Sequence, residues 1–124
     1  MKQSLFIQLA AVLGALAVGI GAFGAHGLQP ILESTGRIDT FETAVKYHFY
    51  HSLAILAIGI WQSFQPERKW LKAALWSFFI GILIFSGSLY ILSLTGISWL
   101  GAITPFGGVA FILGWAFILF AAKS

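Results

Sequence analysis

Residues Leu71 to Leu94 read LKAALWSFFIGILIFSGSLYILSL, with Lys72 as their single charged side chain. A helix needs about 20 mostly apolar residues to cross the roughly 30 Å hydrocarbon core of a bilayer, and this stretch meets that length. In lipid every backbone N–H and C=O must be paired within the segment, so the stretch predicts a transmembrane helix.

Outward from it, the same reading repeats. On the N-terminal side Gln65-Pro66-Glu67-Arg68-Lys69 makes a polar break, preceded by a second apolar stretch from Thr43 to Phe64. Further back, Ser4 to Ala25 is another, ended by Gln29-Pro30. On the C-terminal side Thr95-Gly96 stops the central span, and a last one ends at Ala122. The first span resembles a signal peptide in having Lys2 and the small pair Gly21-Ala22. Its apolar run exceeds the usual 7–15 residues or so, which predicts a retained helix.

Composition agrees. The chain has 124 residues, 59% apolar and only 9% charged, against about a quarter charged in a soluble domain. Twelve Phe and five Trp suit lipid contact and interfacial anchoring. With no cysteine, disulfides, thiolate metal sites and Cys nucleophiles are excluded. A net charge of +3, scattered along the chain, gives no nucleic-acid footprint. The expected fold is therefore an all-α integral membrane protein. It is one domain over 1–124, a four-transmembrane-helix bundle with helices at about 4–25, 40–64, 71–94 and 99 or 105 to 122.

Orientation follows from the bases. Lys2, Arg68, Lys69, Lys72 and Lys123 fall on one side; Arg37 and Lys46 fall on the other, beside Glu33, Asp39 and Glu42. The positive-inside rule then puts both termini in the cytoplasm. The outer loop over 26–39 carries its own signals. Pro30 opens and Gly36 closes a short interfacial helix that lays Ile31 and Leu32 on the membrane surface. Asp39-Thr40-Phe41-Glu42 has capping-box spacing, which starts the second helix near Thr40. For the fourth helix, Thr104-Pro105 reads as N-cap and first helical residue; Ile97 to Ile103 is then an outer loop or a shallow re-entrant segment, with Trp99 at the interface.

Polar groups inside a membrane are costly and point to function. At helical spacing Phe41, Ala44, His48, His51, Ile55 and Gly59 form one stripe, flanked by Ser52 and Gln62. Both histidines lie about 8–15 Å in from the outer end. Glu42 and Lys46 point away from them as an i,i+4 pair, Lys46 snorkelling outward. On the third helix Ser86, Tyr90 and Ser93 share a face with Phe79 and Leu83, with Ser86 about 22 Å from the inner end. His26 stands where the first helix exits, and Thr104, Gly107 and Gly108 lie in the outer part of the fourth. His26, His48, His51, Ser86, Tyr90 and Thr104 thus form a polar layer in the outer half of the bundle.

Three readings of that layer stand open: hydrogen bonds that fix helix packing, ligand binding or proton relay through histidine, and a metal or haem site. No carboxylate joins the histidine face, so no metal or cofactor is assigned. Ala10 and Gly14, then Ala17, Gly21 and Ala25, are small-residue rows that let backbones approach. They suit contacts within the bundle, in a homo-oligomer or in a larger membrane complex. No phosphate loop, nucleophile elbow or zinc-protease motif is present, and nothing argues for an enzyme.

Four motifs carry a family resemblance: Gly21-Ala22-Phe23-Gly24-Ala25-His26-Gly27-Leu28; Thr43-Ala44-Val45-Lys46-Tyr47-His48-Phe49-Tyr50-His51; Phe85-Ser86-Gly87-Ser88-Leu89-Tyr90; and Ile103-Thr104-Pro105-Phe106-Gly107-Gly108 with Gly114-Trp115. In this order they resemble the bacterial domain-of-unknown-function 423 (YgdD-like) membrane family, related to the eukaryotic transmembrane protein 256 type. The resemblance spans nearly the whole chain. It implies a multi-pass protein of the bacterial inner membrane, and it implies no mechanism.

Overall fold

The computed structural model describes the backbone of residues 3–123 and the side chains of residues 5–123. Lys2, counted above among the bases, lies outside the described residues. All regular structure among them is helical. Helix α1 spans Gln3–Ala25, α2 Gln29–Thr35, α3 Ile38–Phe64, α4 Leu71–Gly81 and α5 Gly87–Thr95. A π-helical turn, Ile82–Ser86, joins α4 to α5. A 3-10 turn, Ser98–Ala102, precedes the last helix α6, Thr104–Lys123.

Three helical stretches are long and apolar enough to cross a membrane: Leu5–Ala25, Leu71–Thr95 and Ser98–Lys123. Helix α3 is 27 residues long but is not among them. Asp39, Glu42, Lys46 and the two histidines dilute its apolar content. The same residues make it the chemically richest element.

Helix α1 packs along α3, α3 along the α4–α5 rod, and α4 with the π turn along α6. The packing is made by glycines receiving aromatic rings. Gly81 of α4 sits beneath the Phe111 ring of α6, and Gly114 of α6 beneath the Phe78 ring of α4, so the two helices interlock reciprocally. At Gly107 the approach is closer still: a Cβ there would fall 2.8 Å from the Phe85 Cα, inside the π turn. A π turn carries one extra residue and bulges outward; here the bulge presses the backbone at Phe85 against a residue with no side chain.

That turn also corrects the predicted face of the third rod. Ser86 and Ser93 are fully buried as expected, but Leu83 is 57% exposed. The extra residue shifts the phase, so the buried face runs from Ser86 back through Ile82 and Phe78.

The segment between α1 and α3 holds its expected short helix, with Pro30 in the first turn and Gly36 at φ 70°. Gly36 N–H donates to the Glu33 carbonyl at 3.2 Å and Arg37 N–H to the Leu32 carbonyl at 3.1 Å. This pair of bonds is the Schellman closure. Ile31 is exposed, but Leu32 turns into the protein and is buried. Thr35 Oγ1 donates to the Ser93 carbonyl at 2.7 Å, tying α2 to the end of α5.

The capping box does not form. Because the Schellman turn ends at Arg37, that residue stands at the N-cap and α3 begins at Ile38, with no side-chain cap. Asp39 lies inside the first turn, where its charge still favours the helix dipole. Glu42 and Lys46 are both exposed and, among the described residues, close no ion pair. At Gly14 a Cβ would meet nothing within 4 Å, so of the settings open to the Ala10 and Gly14 row, this glycine makes no close approach within the chain. Gly21 does, at 3.1 Å from Val45 Cγ1, while Gly108 has only an ordinary contact at 3.9 Å to Phe85.

Candidate functional site

The α3 stripe Phe41, Ala44, His48, His51, Ile55 and Gly59 is buried along its length, with Ser52 beside it. Its two histidines take partners on different helices. His48 Nδ1 lies 2.8 Å from the Tyr90 hydroxyl on α5. Its Nε2 is buried without a hydrogen bond. His51 turns toward α6. Its Nδ1 is 2.8 Å from the Tyr47 carbonyl, one turn back, and its Nε2 receives the Trp115 indole N–H at 3.2 Å.

These partners define the His51 tautomer. A carbonyl only accepts and an indole N–H only donates, so Nδ1 carries the proton and Nε2 the lone pair. The ring also stacks flat on Phe111, centroids 3.6 Å apart and planes 7° from parallel. Both nitrogens and one face of His51 are thus engaged by the protein.

Ser86 and Thr104 of the predicted layer also find partners within the chain. Ser86 Oγ donates to the Ala44 carbonyl at 2.8 Å, fastening the π turn to α3. The Ser88 and Thr104 hydroxyls meet at 2.6 Å, fastening α5 to α6. Each such interhelical bond contributes on the order of 0.6–2 kcal/mol in a membrane. His26 differs from the other two histidines in burial: it is exposed in the turn after α1. Among the described residues no group of three or more His, Cys, Asp or Glu side chains is assembled.

Beside His51 the structure opens a groove of about 690 Å³ between α3 and α6. Tyr47, Tyr50 and His51 form one wall, Phe111, Ile112 and Trp115 the other; Phe85 and Gly108 also line it. It contains no charged side chain. Sequence reasoning missed Trp115, Phe111 and Tyr47 as site residues. The signal available was the helical spacing of Gly107, Phe111 and Gly114, the buried face of the last helix, with half-exposed Trp115 at its edge.

A family model described as "Protein of unknown function (DUF423)" matches residues 20–108, which include every residue of the polar layer. The chain belongs to this family. Its relatives include the UPF0382 membrane protein YwdK of Bacillus subtilis, 48% identical over 97% of both chains. A UPF0382 membrane protein of Staphylococcus aureus is 49% identical over 96% of this chain and 95% of its own. One from Haemophilus influenzae is 38% identical over 96% of both. No solved structure matches. DUF423 relatives are thus named as membrane proteins across nearly the whole length of the chain, in keeping with its three long apolar helices.

Proposed function

We propose that the chain crosses the bacterial inner membrane four times, with α1 entering from the cytoplasm and α6 returning to it. In that membrane it holds an uncharged, ring-bearing, lipid-soluble molecule in the groove between α3 and α6. The four-span reading is supported by α3 itself: it packs between α1 and the α4–α5 rod, both long and apolar. The orientation is supported by Arg68, Lys69, Lys72 and Lys123 gathering at one end.

The observation that carries the binding reading is the aromatic lining of the groove. Ligand sites are concave, mostly apolar and supplied with a few polar groups. Here five aromatic side chains and His51 surround about 690 Å³ open to the side, without a formal charge. A flat ring has faces to stack on, and the Tyr47 and Tyr50 hydroxyls are donors for its polar substituents. The histidines act in this account as fasteners of the walls. They engage different helices and share no hydrogen bond, which favours binding over proton passage.

A benzophenone carrying an alkyl tail tests the reading as a photoreactive probe in membranes. Crosslinks are expected at Leu53 and Ile112, and Gly108→Leu, which fills the groove from a position with room for a side chain, should abolish them. Undiminished crosslinking in a folded Gly108→Leu protein overturns the proposal. A second reading, an accessory subunit of a larger membrane complex, is favoured by the exposed apolar faces of α1 and α6, on which Val12, Val18, Phe106 and Ile112 are each more than half exposed. The mass of the protein extracted without detergent separates it from a lipid-covered monomer.

A further inference from the structure

A second groove, of about 330 Å³, lies between α1 and α3. Ala17, Gly21 and Ala22 of α1 give it width, Val45 and Phe49 of α3 form its other wall, and Lys46 is its one charged residue. The two helices run antiparallel there, since Gly24 packs on Phe41 and Gly21 on Val45. The end of α1 is therefore level with Phe41. Lys46, five residues further along α3, is roughly 7 Å deeper at 1.5 Å per residue.

If α3 crosses the membrane, as proposed above, that depth puts the backbone of Lys46 inside the hydrocarbon while its chain can snorkel toward the headgroups. An ammonium there needs an anion. Glu42, one turn nearer the surface, is the acid within sequence reach, yet the two close no ion pair, and Lys46 makes no hydrogen bond among the described residues. Tyr50, at the lipid-facing edge, contributes the groove's only other side-chain polar group.

We infer that this groove is a phospholipid site. The lipid phosphate pairs with Lys46 Nζ, and one acyl chain lies over Ala17, Gly21 and Ala22 against Val45 and Phe49. Charge complementarity selects the occupant: a cation without a partner at the mouth of an otherwise apolar channel matches an anionic head on a hydrocarbon tail, and matches neither alone. The site differs in chemistry from the α3–α6 groove, which holds no charge.

The test is native mass spectrometry of the protein released from nanodiscs that contain phosphatidylglycerol, with diacylglycerol of the same tails and inorganic phosphate as separate arms. Phosphatidylglycerol should be retained; diacylglycerol and free phosphate should not. Lys46→Gln should lower retention by about tenfold, the scale of one charge-assisted hydrogen bond, and Lys46→Arg should restore it. Ala22→Trp, at an exposed position that obstructs the channel, should lower it equally, while Gly108→Leu should leave it unchanged. Equal retention of phosphatidylglycerol by wild type, Lys46→Gln and Ala22→Trp overturns the inference, as does equal retention of diacylglycerol. Loss in Gly108→Leu alone places the lipid in the other groove and overturns it too.

Discussion

The indole N–H of Trp115 reaches His51 Nε2 across 3.2 Å, linking α6 to α3 where the two helices otherwise part to form a groove. His51 is held in turn by the Tyr47 carbonyl and the Phe111 ring. The wall of the groove is therefore set by residues from both helices.

That linkage has a measurable energy. Trp115→Phe keeps a ring at the position but removes the donor, and should destabilise the protein by about 1 kcal/mol. In a double-mutant cycle with His51→Phe, unfolding in micelles should show a coupling of at least about 0.5 kcal/mol. Additive effects would mean that the two side chains are not coupled by this hydrogen bond.

The His48–Tyr90 contact should behave similarly, with a difference. Tyr90→Phe leaves His48 with neither nitrogen hydrogen-bonded, because Nε2 already lacks a partner. A cost of about 1–3 kcal/mol is expected, at the upper end because the orphaned group is buried. Thermal unfolding of the single variant measures it.

The π turn makes a sharper contrast between adjacent glycines. Gly107→Ala drives a Cβ into the Phe85 backbone, which cannot yield as a flexible side chain can. Overpacking of this kind costs about 1–3 kcal/mol. Gly108→Ala meets only an ordinary contact at 3.9 Å and should be nearly neutral. Comparing the two melting temperatures under one condition checks the assignment.

Much of this architecture is legible in the sequence. The apolar runs, the Gly36 stop and the Thr104-Pro105 start each rest on a local rule, and the buried stripe from Phe41 to Gly59 follows from helical period alone. Less legible were features set by another part of the chain. The capping box at Asp39 fails because the preceding turn, closed by bonds to Leu32 and Glu33, fixes where α3 begins. Leu83 faces outward because the π turn breaks the period on which its placement relied. Trp115 is not legible as a site residue because an aromatic in an apolar helix resembles any lipid-facing anchor until its partner is known. Height along the axis groups His26 with the other histidines but does not set its burial, and it is exposed.

The proposed path of the chain through the bilayer is accessible to labelling because the sequence holds no cysteine. Single-cysteine variants Ser34→Cys, in exposed α2, and Glu67→Cys, in the exposed loop between α3 and α4, can be treated in intact cells with a membrane-impermeant maleimide. The account predicts modification of Ser34→Cys from outside and of Glu67→Cys only after the cells are opened. Labelling of Glu67→Cys in intact cells, or of both positions alike, contradicts it.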